Sequence, residues 1–253
     1  STVEFRDLEL AWGTGSGAGL VTGGGAQVTL NHTTVRDNHG SYGGGIYVGT
    51  GTTVTLTNDS DVVHNTASHY GGGARVWGTL VGVETYSDIS YNCAPHGGGA
   101  SVDGGTLTLD TGANGNINFN QGTGRFDQTD GTVTVGGDIN LTSAATGNAT
   151  YALSGGVLDL AGGNVNFGPG TAGFDFSGGT LRNVDTFGSD LDQQGGILAP
   201  GPDLATMIIQ GDYSVGTSSS SGFFELQMDD AGTSDMLSIT GDATFIDSFF
   251  DVF

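Results

Sequence analysis

The residues with the most chemical potential in this chain are its carboxylates. There are 27 Asp and Glu against five Arg and no Lys, for a formal charge of −22. Two aspartates stand out by spacing. Asp61 and Asp88 lie one 27-residue step apart, and Asp59 is close to the first. A period that stacked them would hold two carboxylates about 5 Å apart, which repel unless a cation or a proton intervenes. Asp61 and Asp88 are therefore a Ca²⁺ candidate, and no other cofactor is expected. The plainer reading is two solvated acids on an exposed face, screened by salt. No Gly-Gly-x-Gly-x-Asp array occurs, so calcium binding by nonapeptide repeats is not expected.

His39, His69 and His96 each precede a glycine block, at offsets of four, two and one. Metal ligands need fixed geometry, so these histidines read as turn residues. Tyr42, Tyr47 and Tyr70 offer aromatic faces that either stack on sugar rings or pack at turns. An enzyme acting on polysaccharides needs paired carboxylates, or a Ca²⁺ cluster with a basic residue. Lys is absent, the Arg residues fall at unrelated places in the repeats, and no aspartate cluster has neighbouring His and basic residues. The reading is non-enzymatic, and a polysaccharide-active or carbohydrate-binding protein is the alternative.

Repeats decide what positions these residues. Val35-Arg36-Asp37-Asn38, Val62-Val63-His64-Asn65, Ile89-Ser90-Tyr91-Asn92 and Ile117-Asn118-Phe119-Asn120 recur at steps of 27, 27 and 28. One step back from Val35 lands on Leu8. Glycine blocks 43–45, 71–73 and 97–99 follow, each opening a short alternating strand such as Ile46-Tyr47-Val48 or Ala74-Arg75-Val76. Strands this short bury little alone, and neither can one unit, so the units must stack. The sequence therefore predicts an all-β, right-handed parallel β-helix with a C-terminal β-rich capping segment. Leu8, Val35, Val62, Ile89 and Ile117 would form an inner aliphatic column. Asn38, Asn65, Asn92 and Asn120 would form an amide ladder at a corner, where Asn tolerates left-handed backbone.

Three zones follow from the rhythm. Residues 1–125 hold coils with the 27-residue period. Residues 126–198 hold shorter, irregular coils, in which Phe126, Tyr151, Phe174 and Leu191 recur at steps of 25, 23 and 17. Residues 199–253 read as hairpins or wide coils that cap the end. The single cysteine, Cys93, excludes an intrachain disulfide. The charge argues against nucleic acid and anionic membranes as partners, and no apolar run is long enough to insert this segment in a membrane. Both ends read as cuts through a longer protein or as limits of an ordered region.

The glycine blocks paired with x-x-Asn motifs over residues 20–120 resemble the repeats of polymorphic outer-membrane proteins, with Val or Ile where those carry Phe. The stretch Gly195-Gly196-Ile197-Leu198-Ala199-Pro200-Gly201, then Ile209-Gln210-Gly211-Asp212-Tyr213, then Ser234 to Ala243, resembles the C-terminal passenger region of bacterial autotransporters. The resemblance implies an exported structural or adhesive β-helix: a cell-surface stalk, adhesin, or extracellular matrix or filament component of a Gram-negative-type bacterium. Glycans or a host or neighbour-cell surface are the expected partners. Self-association through open strand edges is a further expectation.

Overall fold

The computed structural model describes the chain except Ala18, 83–88, Tyr91, 95–99, 103–105, 110–116, 120–122, 142–147, 202–203, 217–221, 229–232, 247–248 and Phe253. Asp88, His96 and Asn120 lie outside the described residues. Within the described residues the protein contains no helix, and its strands pair in parallel, coil on coil, as a β-solenoid.

One ladder runs the length of the molecule. Thr2–Arg6 pairs with Gln27–Asn31, then Thr53–Thr57, Thr79–Gly82, Thr106–Leu109 and Thr132–Val135. It continues through Asn148–Phe167 and Thr171–Phe187 to Gly196–Ala199, Gly222–Leu226 and Phe249–Val252. The pairing fixes the coil lengths. The step from Thr132 to its partner Val157 is 25, from Val157 to Thr180 it is 23, and from Thr180 to Ile197 it is 17. From Ile197 to Phe223 it returns to 26. The last coils are wide: Thr206–Ile209 and Tyr213–Val215 pair in parallel with Met236–Ile239 and Ala243–Phe245. Among the described residues one bridge, Met228↔Ser234, is antiparallel.

Alternation along each strand sends every second side chain inward. Val28, Val54, Leu80, Leu107, Val133, Leu158, Leu181, Leu198 and Phe224 stack as one buried column. A second column runs through Leu10, Val35, Val62 and Ile89. The sequence expectation that Leu8 heads it is wrong. Leu10 is the partner of Val35, a step of 25, whereas Val35 and Val62 are separated by 27. The first coil is therefore two positions short, and a uniform step overshoots. Leu8 is 46% exposed.

The corners are where the chain needs unusual backbone. Left-handed φ falls on Trp12, Asp37 and His64, the residues preceding Gly13, Asn38 and Asn65. The asparagines are thereby free to turn their amides inward. Asn38 Nδ2 donates to Asn65 Oδ1 (2.9 Å), and Asn65 Nδ2 donates to Asn92 Oδ1 (3.1 Å). Each carboxamide oxygen also accepts a backbone N–H from the coil before: Asn38 N to Asn65 at 3.1 Å and Asn65 N to Asn92 at 2.8 Å. The amide nitrogens reach Leu10 O, Val35 O and Val62 O. All three asparagines are buried. The glycine blocks make room for them: a Cβ on Gly45 would sit 2.5 Å from Gly73 O and 2.8 Å from Asn65 Nδ2.

From residue 126 aromatic side chains enter the interior. Phe126, Tyr151 and Phe174 stack nearly parallel, with centroids 4.7 and 5.4 Å apart. Tyr151 is fully buried, and its hydroxyl donates to Gln128 Oε1 at 2.8 Å. Gln128 Nε2 in turn donates to Val157 O. The arrangement recurs: Tyr213 OH donates to Gln193 Oε1 at 2.6 Å, and Gln193 Nε2 donates to Gly196 O and Phe223 O. Both glutamines are completely buried.

This interior sets expectations for stability. Asn65→Ala removes the acceptor of the Asn38 backbone N–H and a donor to the Val35 carbonyl, so it should destabilise the fold by about 3 kcal/mol, the order expected for buried groups left unsatisfied. Ser68→Ala, at an exposed site, should stay within about 0.5 kcal/mol. Urea unfolding of both variants checks this. Burial pushes the Tyr151 and Tyr213 phenols above the usual range. The folded state then holds protons that the unfolded chain releases near pH ~10. Stability from these groups is complete below that pH and falls as pH rises above it. In an ultraviolet titration of the seven tyrosines, two should remain un-ionised until the fold is lost.

Candidate functional site

The outward side of the early coils carries an aromatic cluster, built by the same register that stacks the core. Tyr42 ends the strand His39–Tyr42, and Tyr70 ends Thr66–Tyr70. A bulge between Ala67 and Tyr70 brings Tyr70 opposite Tyr42. Their rings lie within 8° of parallel, with centroids 6.2 Å apart. On the neighbouring strand, Val21, Tyr47 and Arg75 form an outward column. The Arg75 guanidinium lies 4.8 Å from the centroids of both Tyr42 and Tyr70 and 5.4 Å from the Trp77 ring. At such distances cation and ring attract, and they hold each other in place. His69 stacks on Tyr42 at 5.2 Å.

Beside this cluster lies a cleft of about 320 Å³, lined by Ser16, Gly17, Val21, Tyr42 and Tyr47. Gly17 packs tightly within it. A Cβ there would sit 2.6 Å from Val21 Cγ2 and 3.5 Å from Tyr47 Cβ. Apolar surface remains open around it: Val21 is 60% exposed and Trp77 40%. Tyr42, Tyr47 and Tyr70 are thus brought together. Arg75, Trp77, Gly17 and Val21 join them from outside the set expected of the sequence, although a signal for part of it is present. Tyr42 and Tyr70 both stand immediately before a glycine block, and Tyr47 and Arg75 both stand at the second position after one.

The other expected sites look different. Asp61 pairs in register with Thr34 on a half-buried strand, and its expected partner Asp88 falls outside the described residues. Among the described residues no three His, Cys, Asp or Glu side chains gather as a metal site. His39 Nδ1 is 2.6 Å from Thr66 Oγ1, so it serves its own corner. Several acids serve as backbone caps. Asp190 accepts from Asp212 N, and Asp212 accepts from Asp242 N, each at 2.8 Å. Asp235, buried, accepts from Ala205 N and Gln227 N. Among the described residues, Arg6 pairs with Glu4, Arg36 with Glu9, Arg125 with Asp127 and Arg182 with Asp159. A second cleft, of about 490 Å³, lies at another corner between Gly162, Asp185 and Leu204 and has no aromatic wall.

The aromatic cluster presents flat apolar faces, phenolic hydroxyls and a guanidinium, and beside it Ser68 Oγ lies 3.1 Å from His69 Nδ1. Comparison with protein-family models, curated proteins and solved structures finds no match to this chain.

Proposed function

We propose that this chain is a structural or adhesive segment of an exported bacterial surface protein, in which the solenoid acts as a stiff spacer and carries binding surface on its flank. The observation that carries this reading is the parallel ladder that runs from Thr2–Arg6 to Phe249–Val252. Each coil contributes about 4.8 Å of length and rests on its neighbour through backbone hydrogen bonds, so such a stack is stiff and extends in one direction. The strongly acidic composition suits a protein that must stay soluble in a salty medium. The resemblance of residues 20–120 and 195–243 to surface-protein repeats and passenger regions supports export, with display on or release from a Gram-negative-type cell. It also favours glycans or a neighbouring cell surface as partners.

The test is localisation together with turnover. Antibody raised against the chain should label intact cells of the producing organism or detect the protein in the medium. Purified chain should release no reducing ends from acidic or neutral polysaccharides. Confinement to the soluble cytoplasmic fraction overturns the export reading. Turnover abolished by an Asp substitution overturns the non-enzymatic reading.

A further inference from the structure

We propose that the cleft between Tyr42 and Tyr47 is a binding site for a neutral glycan chain, with the two tyrosines as stacking surfaces beside Gly17 and Val21. This rests on the reading above, which favours glycans as partners, and deepens it by naming the site and the class of glycan.

Three observations carry it. The first is shape. The cleft's volume of about 320 Å³ lies at the lower end of the roughly 300–1,000 Å³ typical of small-ligand clefts, which suits a short stretch of sugar rings. Gly17 packs tightly within it, since a Cβ there would sit 2.6 Å from Val21 Cγ2.

The second is chemistry. Aromatic rings pair an apolar face with, in Tyr and Trp, a polar edge. Pyranose rings have the matching pattern, C–H groups on their faces and hydroxyls around the rim. Here the aromatic side chains are only partly covered, with Tyr42 36% exposed and Trp77 40% exposed. The Arg75 guanidinium, 4.8 Å from the Tyr42 and Tyr70 centroids, fixes the orientation of these rings before any ligand arrives. Preorganisation of this kind reduces the ordering cost of binding.

The third is charge. The chain carries −22, and a field of that sign repels polyanions. A neutral polysaccharide meets no such barrier. Uronic-acid polymers, nucleic acids and anionic lipids all do.

The experiment is affinity electrophoresis of the full 253-residue chain through gels containing dextran, mannan, xyloglucan or galactan, with polygalacturonate as the acidic comparison. At least one neutral polymer should retard the protein, and 0.5 M NaCl (an assay condition set at roughly a 4 Å screening length) should leave that retardation intact. The double variant Tyr42→Ala/Tyr47→Ala should weaken it at least tenfold. Gly17→Val, which fills the cleft, should do the same while leaving Tyr70 and Arg75 in place. Circular dichroism and thermal unfolding of both variants establish that the solenoid is retained. If either unfolds, the single variant Tyr42→Ala, at a 36% exposed side chain, replaces it and should weaken retardation at least threefold. Absence of retardation by every neutral polymer overturns the proposal. So does retardation that survives the substitutions in a folded variant, or that appears only with polygalacturonate and vanishes in salt. None of these results bears on whether the chain is exported, which the labelling of intact cells reads separately.

Discussion

Everything in this protein depends on one constraint: each coil must satisfy its backbone hydrogen bonds on the coil above and the coil below. Parallel in-register pairing follows, and it sets each side chain over its counterpart one turn away. A buried apolar residue then has to be followed by another that fits on top of it. Val28 to Phe224 is such a column, and it survives a change of coil length from a step of 25 at Thr132↔Val157 to a step of 17 at Thr180↔Ile197. The variation is absorbed between strands. Leu158, Leu181 and Leu198 stay in register while the connecting segments between them shrink.

The same constraint explains the character of the buried polar groups. A charge inside such a stack is costly to desolvate. Buried Asp235 is occupied with two backbone N–H groups, and Asp159 with Ala161 N, Asn183 and Arg182. Much of the remaining buried polarity is neutral: amides, phenols and hydroxyls. An Asn amide donates and accepts, so stacked copies satisfy one another: Asn38 gives to Asn65 and Asn65 to Asn92. A Gln plays the same part where the interior is wide enough for a tyrosine, at Tyr151–Gln128 and at Tyr213–Gln193. Both solutions close hydrogen bonds between side chains removed from the surface.

Repetition makes most of this legible in the sequence. The x-x-Asn period locates the corner, and the aromatic spacing tracks coils whose pairing runs Phe126↔Tyr151↔Phe174. Legibility fails where the period breaks or where the partner is not a repeat. A uniform step misplaces Leu8 because the first coil is two positions short. The left-handed backbone expected of the asparagines falls instead on Asp37 and His64, whose conformation lets the following amide turn inward. The Tyr–Gln pairs leave no periodic trace, because each partner occurs once per pair, in different coils and at separations of 23 and 20. The aromatic cluster is half visible. Its tyrosines stand out by type, but joining them to Arg75 and Trp77 requires knowing that a glycine block turns the strand outward at a constant point.

That last case says where binding surface is to be sought on a solenoid. Inward columns must fit both neighbouring coils, because a misfit residue disturbs each. Outward columns have no such restriction. Along one of them the residues are Val21, Tyr47 and Arg75, a different chemistry at every step. One position back along the same strands, the inward column stays apolar through Leu20, Ile46, Ala74 and Ala100. A face whose residues change type while its backbone does not is a surface whose composition the fold leaves open. The Tyr42–Tyr47 cleft lies on such a face, at the place where aromatic side chains from two outward columns meet.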